Sequence, residues 1–521
     1  MSLLIAAAAA GAGNAVPLAA AASKPFVLLD HLPVLQVVIP LLAATLCALL
    51  PRGIYAWAFT LIVSWTLPIT AAALLWRVLS EGTISYPLGG WLPPIGIEYR
   101  IDALNAFVML LVSGIGAVAL PYARVSVDHE IEQRQQPWFY ASYLLCIGGL
   151  LGIAATGDAF NIFVFLEISS LATYVMIAMG NDRRALLAAY QYLILGTVGA
   201  TLYVIGVGLL YNVTGTLNLA DMAQRLGPAF DESNRPILAG IAFVFVGVAL
   251  KLALFPMHVW LPNAYAFAPS FATVFLSATA TKVAVYLLLR MMFTVFGAAI
   301  ALDSLPLAQV LLILSLIAMF VCSFLAVFED SIERMLAYSS LAQIGYMTLG
   351  VSLANEPGLT GGIVHLFNHA LIKAALFMAA GIIFFRLGTS RLSQLAGIGQ
   401  RMPLTMAAFV VAGLGIIGVP GTAGFISKWY LAIGAVEGGQ WPVVFLIMAS
   451  SLIALIYIGK VVEVAYFRDL DPRCDKASDP PASMMVPLLV LTAMIVFFGL
   501  DTTWSADIAE RAARGLLTGL K

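Results

Sequence analysis

The chain has 521 residues, 62% of them hydrophobic and only 10% charged. Soluble domains carry about a quarter charged residues, so this is an all-α polytopic membrane protein and not a soluble enzyme. A formal net charge of −1 offers no basic surface for nucleic acid. Cys47, Cys146, Cys322 and Cys474 are scattered without a CxxC pair, and no dinucleotide or P-loop glycine pattern occurs, so neither a metal nor a cofactor is expected on this polypeptide.

Residues 1–23 form an Ala/Gly-rich leader whose first positive charge, Lys24, comes only after it, the reverse of a secretory signal. Gly11, Gly13, Asn14 and Pro17 interrupt it, so it is expected to be loosely ordered or interfacial. Each crossing needs about 20 apolar residues. On that ruler fourteen helices are predicted: 34–50, 55–76, 104–123, 137–156, 160–179, 186–211, 236–266, 270–297, 305–327, 331–353, 358–385, 403–435, 441–467 and 482–500. Between the second and third, Gly and Pro are dense in Tyr86-Pro87-Leu88-Gly89-Gly90-Trp91-Leu92-Pro93-Pro94, which reads as a turn-rich hairpin or loop. Loops on the side away from the termini hold twelve Lys and Arg, against nine on the terminal side, which favours both termini outside the cytoplasm.

Charged residues inside these apolar segments are the candidates for chemistry, since a charge at bilayer centre costs roughly 2.5–3.5 kcal/mol even on lenient scales. Glu167 is the only ionisable residue of the fifth helix. Lys251 closes the apolar stretch Ile237–Phe255, ahead of Pro256, His258 and Pro262. Burial disfavours the charged form of either group and an opposite charge restores it, so a Glu167–Lys251 pair would act as a switch. Pro256 frees the carbonyl four residues back, Leu252, which with water could solvate the ammonium. Lys282, central in Thr273–Phe293, is the natural relay partner of Lys251, with snorkelling as the bland alternative. His258 either shuttles protons between the two lysines or caps freed carbonyls.

Farther along, His365, His369 and Lys373 fall at i, i+4 and i+8 and so share one helix stripe, about 12 Å long at 1.5 Å per residue. The stripe reads as a proton wire; interhelical hydrogen bonding is the structural alternative. HxxxH is also metal-ligand spacing, but no Glu or Cys completes a site. Lys428 follows the break Gly418-Val419-Pro420-Gly421, as Lys251 lies beside its own. Lys251 to Lys282 is 31 residues and Lys428 to Lys460 is 32. Five helices separate the seventh from the twelfth, an odd offset, so the second copy would be inverted. Lys460 with Glu463 reads as a local surface pair, and Glu329, Asp330, Glu333 and Arg334 as solvated groups at a helix start.

Taken in order, Gly89 through Pro94 with Asp102, the Glu167 helix, Lys251 through Pro262, His365 through Lys373, and Pro420 through Lys428 resemble the antiporter-like subunits of respiratory complex I and of Mrp-type multisubunit cation/proton antiporters, most of all the D-type Mrp subunits. The resemblance covers roughly residues 85–470. It implies about fourteen transmembrane helices with two inverted five-helix repeats and broken seventh and twelfth helices. It also assigns the proton path to Glu167, Lys251, Lys282, His365 or His369, and Lys428. Lys428 bears on subtype, because one complex I branch carries glutamate there. Many relatives have Asp or Lys and then His after Trp-Leu-Pro, where this chain has Asn263-Ala264-Tyr265, which counts against a proton role for that turn.

The expected organisation is a leader (1–33), three helices with a hairpin loop (34–136), a first repeat (137–300), a second repeat (301–470), and a last helix with its tail (471–521). The expected function is proton translocation within a Na⁺/H⁺ antiporter of Mrp type in the cell inner membrane, beside other membrane subunits. The alternative is a proton-pumping subunit of a complex I-like oxidoreductase or membrane-bound hydrogenase, without a redox site of its own. A self-sufficient carrier of an organic substrate, or a non-conducting structural subunit, are the rival classes.

Overall fold

The computed structural model describes residues 28–297 and 299–518, so the leader expectation for 1–23 lies outside the described residues. Helix α1 (Leu32–Ala48) and α2 (Gly53–Glu81) lead into a two-stranded antiparallel hairpin, β1 (Ile84–Pro87) with β2 (Glu98–Ile101), and then α3 (Ala103–Glu130). Next come α4 (Gln136–Ala155), α5 (Ala159–Ala178), α6 (Arg183–Thr214), α7 (Leu219–Glu232), α8 (Asn234–Leu252), α9 (Trp260–Phe267) and α10 (Ser270–Leu289), which continues as a π-helical turn to Phe296. The remainder is α11 (Leu307–Phe328), α12 (Ile332–Leu353), α13 (Glu356–Leu387), α14 (Pro403–Ile417), α15 (Ala423–Glu437), α16 (Pro442–Phe467), α17 (Ala482–Leu500) and α18 (Thr503–Thr518).

Among the described residues twelve helices are long and apolar enough to cross a bilayer. Two further crossings complete the predicted fourteen. Helix α12 has the length, 22 residues, but a polar face with Ser339, Ser340 and Gln343. The broken pair α14/α15 crosses in two pieces of 15 residues each. Helices α7 and α18 fall outside the prediction. Both are amphipathic: α7 buries Leu219, Met222 and Leu226, spaced for one face, and leaves the rest polar.

The two repeats pair their helices alike. Helix α4 packs on α5, α5 on α6 and α6 on α8; α11 packs on α12, α12 on α13 and α13 on α15. Each has a broken fourth member, α8/α9 or α14/α15. The first break lies at Ala253, in the left-handed region (φ 59°), three residues ahead of Pro256. The second lies at Gly418 (φ 86°), where glycine carries no Cβ penalty. Helices α10 and α13 sit innermost, α10 buried along nearly its whole length. Helix α13 touches α3, α10, α12, α14, α15, α17 and α18.

At the hairpin end, Asp102 caps α3 through the Leu104 and Asn105 amides and pairs with Arg290 at 2.8 Å. Burial alone would raise the Asp102 carboxyl, but the Arg290 charge, its hydrogen bond and the two amides outweigh it and hold the group below its usual range. The buried Glu98 accepts from Asn218 Nδ2 at 2.7 Å and Ser85 Oγ at 2.5 Å, tying the hairpin to the start of α7.

Candidate functional site

Lys251 ends α8 with its side chain only 5% exposed, and its Nζ donates to Ser170 Oγ at 2.6 Å. Glu167, one turn earlier on α5, holds Oε1 3.9 Å from the ammonium. That oxygen is buried and accepts no hydrogen bond among the described residues. A cavity of about 30 Å³ opens beside them, lined by Ser169, Ser170, Thr173, Tyr192 and Lys251 and walled by Ala280, Val283 and Ala284 of α10. A space of roughly 10–15 Å³ suffices for one water with polar partners. The Leu252 carbonyl is not the one recruited at the break: Trp260 Nε1 caps Leu250 O at 3.1 Å, and Lys251 turns to Ser170 instead.

Lys282 is fully buried and does not meet Lys251. Its ammonium contacts the Ser277 carbonyl, and Thr281 Oγ1 at 3.4 Å, both on its own helix. Across from it on α13 stand His365, His369 and Lys373, all within range of its charge. The two imidazoles stack with centroids 5.9 Å apart. Lys373 donates to Leu336 O of α12 at 2.8 Å. Lys282 thus joins the histidine stripe, where the sequence paired it with Lys251.

The stripe continues to the second break. His365 Nδ1 shares a hydrogen bond with Ser427 Oγ at 2.8 Å, and Lys428 is the next residue. Lys428 Nζ donates to Ile416 O at 3.0 Å, Ile417 O at 2.9 Å and Ser451 Oγ at 2.8 Å, and lies 4.7 Å from the Tyr346 ring centroid. Those carbonyls end α14 and lack intrahelical partners, so the ammonium sits at the negative end of a half-helix. The carbonyl solvation expected at Lys251 is therefore realised at Lys428.

His258 is half-buried, stacked on Phe255 with centroids 5.1 Å apart and set against the Pro256 backbone; no hydrogen bond or ion pair links it to Lys251 or Lys282. Lys460 is not a surface partner of Glu463: it donates to Val327 O and Glu329 O at the end of α11, while Glu463 pairs with Arg468. Glu333, read as solvated, is half-buried and accepts from Ser390 Oγ at 2.9 Å. Sequence reasoning missed Ser170, Ser427, Ser451, Tyr346 and Asn368; the last fixes the start of α15 by donating to Ala423 O at 2.6 Å. His365 Nε2, both His369 ring nitrogens, Asn368 Oδ1 and Gln343 Oε1 are buried without a protein partner among the described residues. Buried polar atoms are normally satisfied, so this row suits ordered water.

Residues 156–454 match the family model described as NADH:quinone oxidoreductase/Mrp antiporter, transmembrane. The chain is 42% identical to the N subunit of NADH-quinone oxidoreductase from Desulforudis audaxviator, over 90% of this chain and 96% of that protein. It is 26% identical to the D-type subunit of the Na⁺/H⁺ antiporter from Bacillus subtilis, over 94% and 98%. Its fold matches a chain in the structure of the Mrp complex from Dietzia sp. with a TM-score of 0.83 and 26% identity, covering 95% of this chain and all of that one.

Proposed function

The chain belongs to the NADH:quinone oxidoreductase/Mrp antiporter family of membrane subunits, and from that premise we propose that it carries protons along a row of buried lysines and histidines at mid-membrane. One observation carries the reading. Of the buried lysines 251, 282, 373 and 428, only Lys251 has a carboxylate within ion-pair distance among the described residues. A purely structural buried charge is held by an opposite charge, because an unpaired one is strongly destabilising. Three ammonium groups without that compensation fit groups that give up and regain protons.

In this reading Glu167 and Lys251 form the first exchange pair. Lys282 and the stripe His369, His365 and Lys373 form the middle of the path, and Lys428 the terminal group beside the second break. His258 serves the path from its edge, stacked on Phe255. Transfer is stepwise, because the charge state of each group alters the proton affinity of the next. The coupled ion in the antiporter reading is Na⁺ or another monovalent cation, exchanged within a hetero-oligomer in the cytoplasmic membrane. A second reading, a proton-pumping subunit of a respiratory oxidoreductase, is favoured by the 42% identity to the N subunit of an oxidoreductase.

Lys251→Ala and Glu167→Ala in the assembled complex test the path. Membrane insertion is expected to survive and proton-coupled transport in vesicles to vanish. Normal exchange in either variant would refute the assigned roles. Stimulating the wild-type vesicles with a Na⁺ gradient, and separately with NADH and quinone, decides between the two drives.

A further inference from the structure

One polar cavity takes no part in the path described so far. It has a volume of about 210 Å³ and lies at the end of the bundle that carries the α5–α6, α9–α10 and α11–α12 connections. Three acids line it: Asp182, which pairs with Arg184, and Glu130 at the end of α3 and Glu333 at the start of α12, with Ser270 and Ser390 beside them. Glu130 and Glu333 are half-buried and face the same cavity, and neither has an ion-pair partner among the described residues.

A polar row leads inward from Glu130, and the helix that carries Glu333 leads to Lys373. On α3, Glu130, Ser126 and Tyr122 stand at i, i−4 and i−8 and so share a face. Ser126 Oγ donates to Glu130 at 2.7 Å, Ser270 N–H donates to it at 2.9 Å, and the wholly buried Tyr122 hydroxyl lies against Ser126 and Ser270. That hydroxyl also abuts Gly381 of α13, which continues the stripe of His365, His369 and Lys373 by two more turns. On α12, Leu336 lies one turn beyond Glu333, and its carbonyl holds the Lys373 ammonium at 2.8 Å. Three residues of helix rise about 4.5 Å, so the backbone that carries Glu333 stands one turn from the carbonyl that holds Lys373.

The remaining charges facing the pair are already engaged or lie at the rim. Arg184 pairs with Asp182, Arg334 pairs with Glu329 at 3.4 Å, Arg391 lines the mouth, and His129 adjoins Glu130 in sequence. Three arginines disfavour a resident metal cation, whereas two carboxylates open to water exchange protons readily. Resting on the proton-path reading above, we propose that Glu130 and Glu333 are the loading site through which protons pass from this end of the bundle to Lys373. Each transfer is a proton exchange between oxygens or between oxygen and nitrogen, with no bond order changed elsewhere.

The test uses the reconstituted complex with E130Q, E333Q and the double variant, measuring proton uptake from this side as a function of pH. Hydronium is scarce at about pH 8 and abundant at about pH 6. The double variant is expected to run about tenfold or more below wild type at the higher pH and to approach it at the lower, in line with loss of a general acid–base relay. Glu333→Asp should keep most of the rate. Ser390→Cys gives a second readout that leaves both acids in place: the native cysteines are buried, so a membrane-impermeant thiol reagent should label the introduced thiol from this side alone and slow uptake in the same pH-dependent way. A double variant with an unchanged profile, one with equal loss at every pH, or labelling without effect overturns the loading site. A wild-type complex that moves no protons overturns the path itself, and Lys251→Ala distinguishes the cases because its block should not yield to low pH.

Discussion

Lys251 places its ammonium 2.6 Å from the Ser170 hydroxyl and leaves the Glu167 carboxylate at 3.9 Å, so the serine, not the carboxylate, makes the hydrogen bond to the charge. Hydrogen bonds to charged groups contribute about 1.5–3 kcal/mol. Ser170→Ala removes one from a lysine that changes protonation state in the proposed path, while the apolar packing of α5 is kept. Transport in vesicles is expected to fall about tenfold, since 1.4 kcal/mol is one decade in an equilibrium. Ser170→Thr, which keeps the hydroxyl, should retain most of it. Equal rates for alanine and wild type would remove the serine from the path.

Lys282 separates a functional from a structural charge. It is fully buried, and its hydrogen-bond partners among the described residues are Ser277 and Thr281 of its own helix. If the ammonium merely pinned helices, Lys282→Met would destabilise the protein. With no carboxylate to strand, replacement by an apolar chain of similar volume is expected to be neutral or stabilising by about 1–4 kcal/mol. Thermal unfolding in detergent should show an unchanged or raised Tm, and proton transport should be abolished. A lowered Tm with residual transport would assign the lysine a structural role.

The sequence made the predicted crossings legible because most are long apolar runs, two of them marked by Pro and Gly breaks, and it marked Glu167, Lys251 and Lys428 because charge inside such a run is costly. It paired Lys282 with Lys251 on spacing alone. Spacing does not say which neighbour a helix face meets. Successive helical residues are turned by about 100°: Ala280, Val283 and Ala284 wall the Lys251 cavity, and Lys282 looks toward α13. Ser170, Ser427 and Ser451 stayed hidden because single hydroxyls are common in membrane helices and carry no period. Helices α7 and α18 escaped for the opposite reason, since their charged faces break any apolar run. Glu333 sat in a group of charges that resembled a solvated helix start, and only the packing of α3 and the Ser390 loop buries it.

The hairpin clamp gives a pH dependence with a definite sign. Asp102 is held below its ordinary range in the folded protein, by Arg290 and two amides against the opposing effect of burial. A depressed folded value means the stabilisation is present above the unfolded value, about 3.9, and is lost as pH falls through the folded one. The wild type should therefore keep the clamp at neutral pH and lose it only in acid. Asp102→Asn should cost about 1–3 kcal/mol at neutral pH, less than a fully buried pair, because 30% of the Asp102 side chain is exposed. Unfolding midpoints of wild type and variant should converge as the pH is lowered; parallel curves would show that the pair contributes no linkage.

Two glycines at the second break share a backbone conformation and differ in what surrounds them. Gly418 and Gly421 both have φ +86°, where an added Cβ costs about 1–2 kcal/mol. At Gly421 that Cβ meets nothing within 4 Å, whereas at Gly418 it would lie 2.9 Å from Lys428 Cδ and 3.4 Å from Nζ. Gly421→Ala is thus a control for strain alone, and Gly418→Ala adds displacement of the lysine from Ile416, Ile417 and Ser451. Both variants should lose similar stability in detergent unfolding. Only Gly418→Ala should lose transport by about tenfold or more, the effect of moving a reacting group by an ångström or so. If Gly421→Ala is equally inactive, the break matters as a hinge, and the position of the Lys428 ammonium against the α14 carbonyls is not what limits the terminal step.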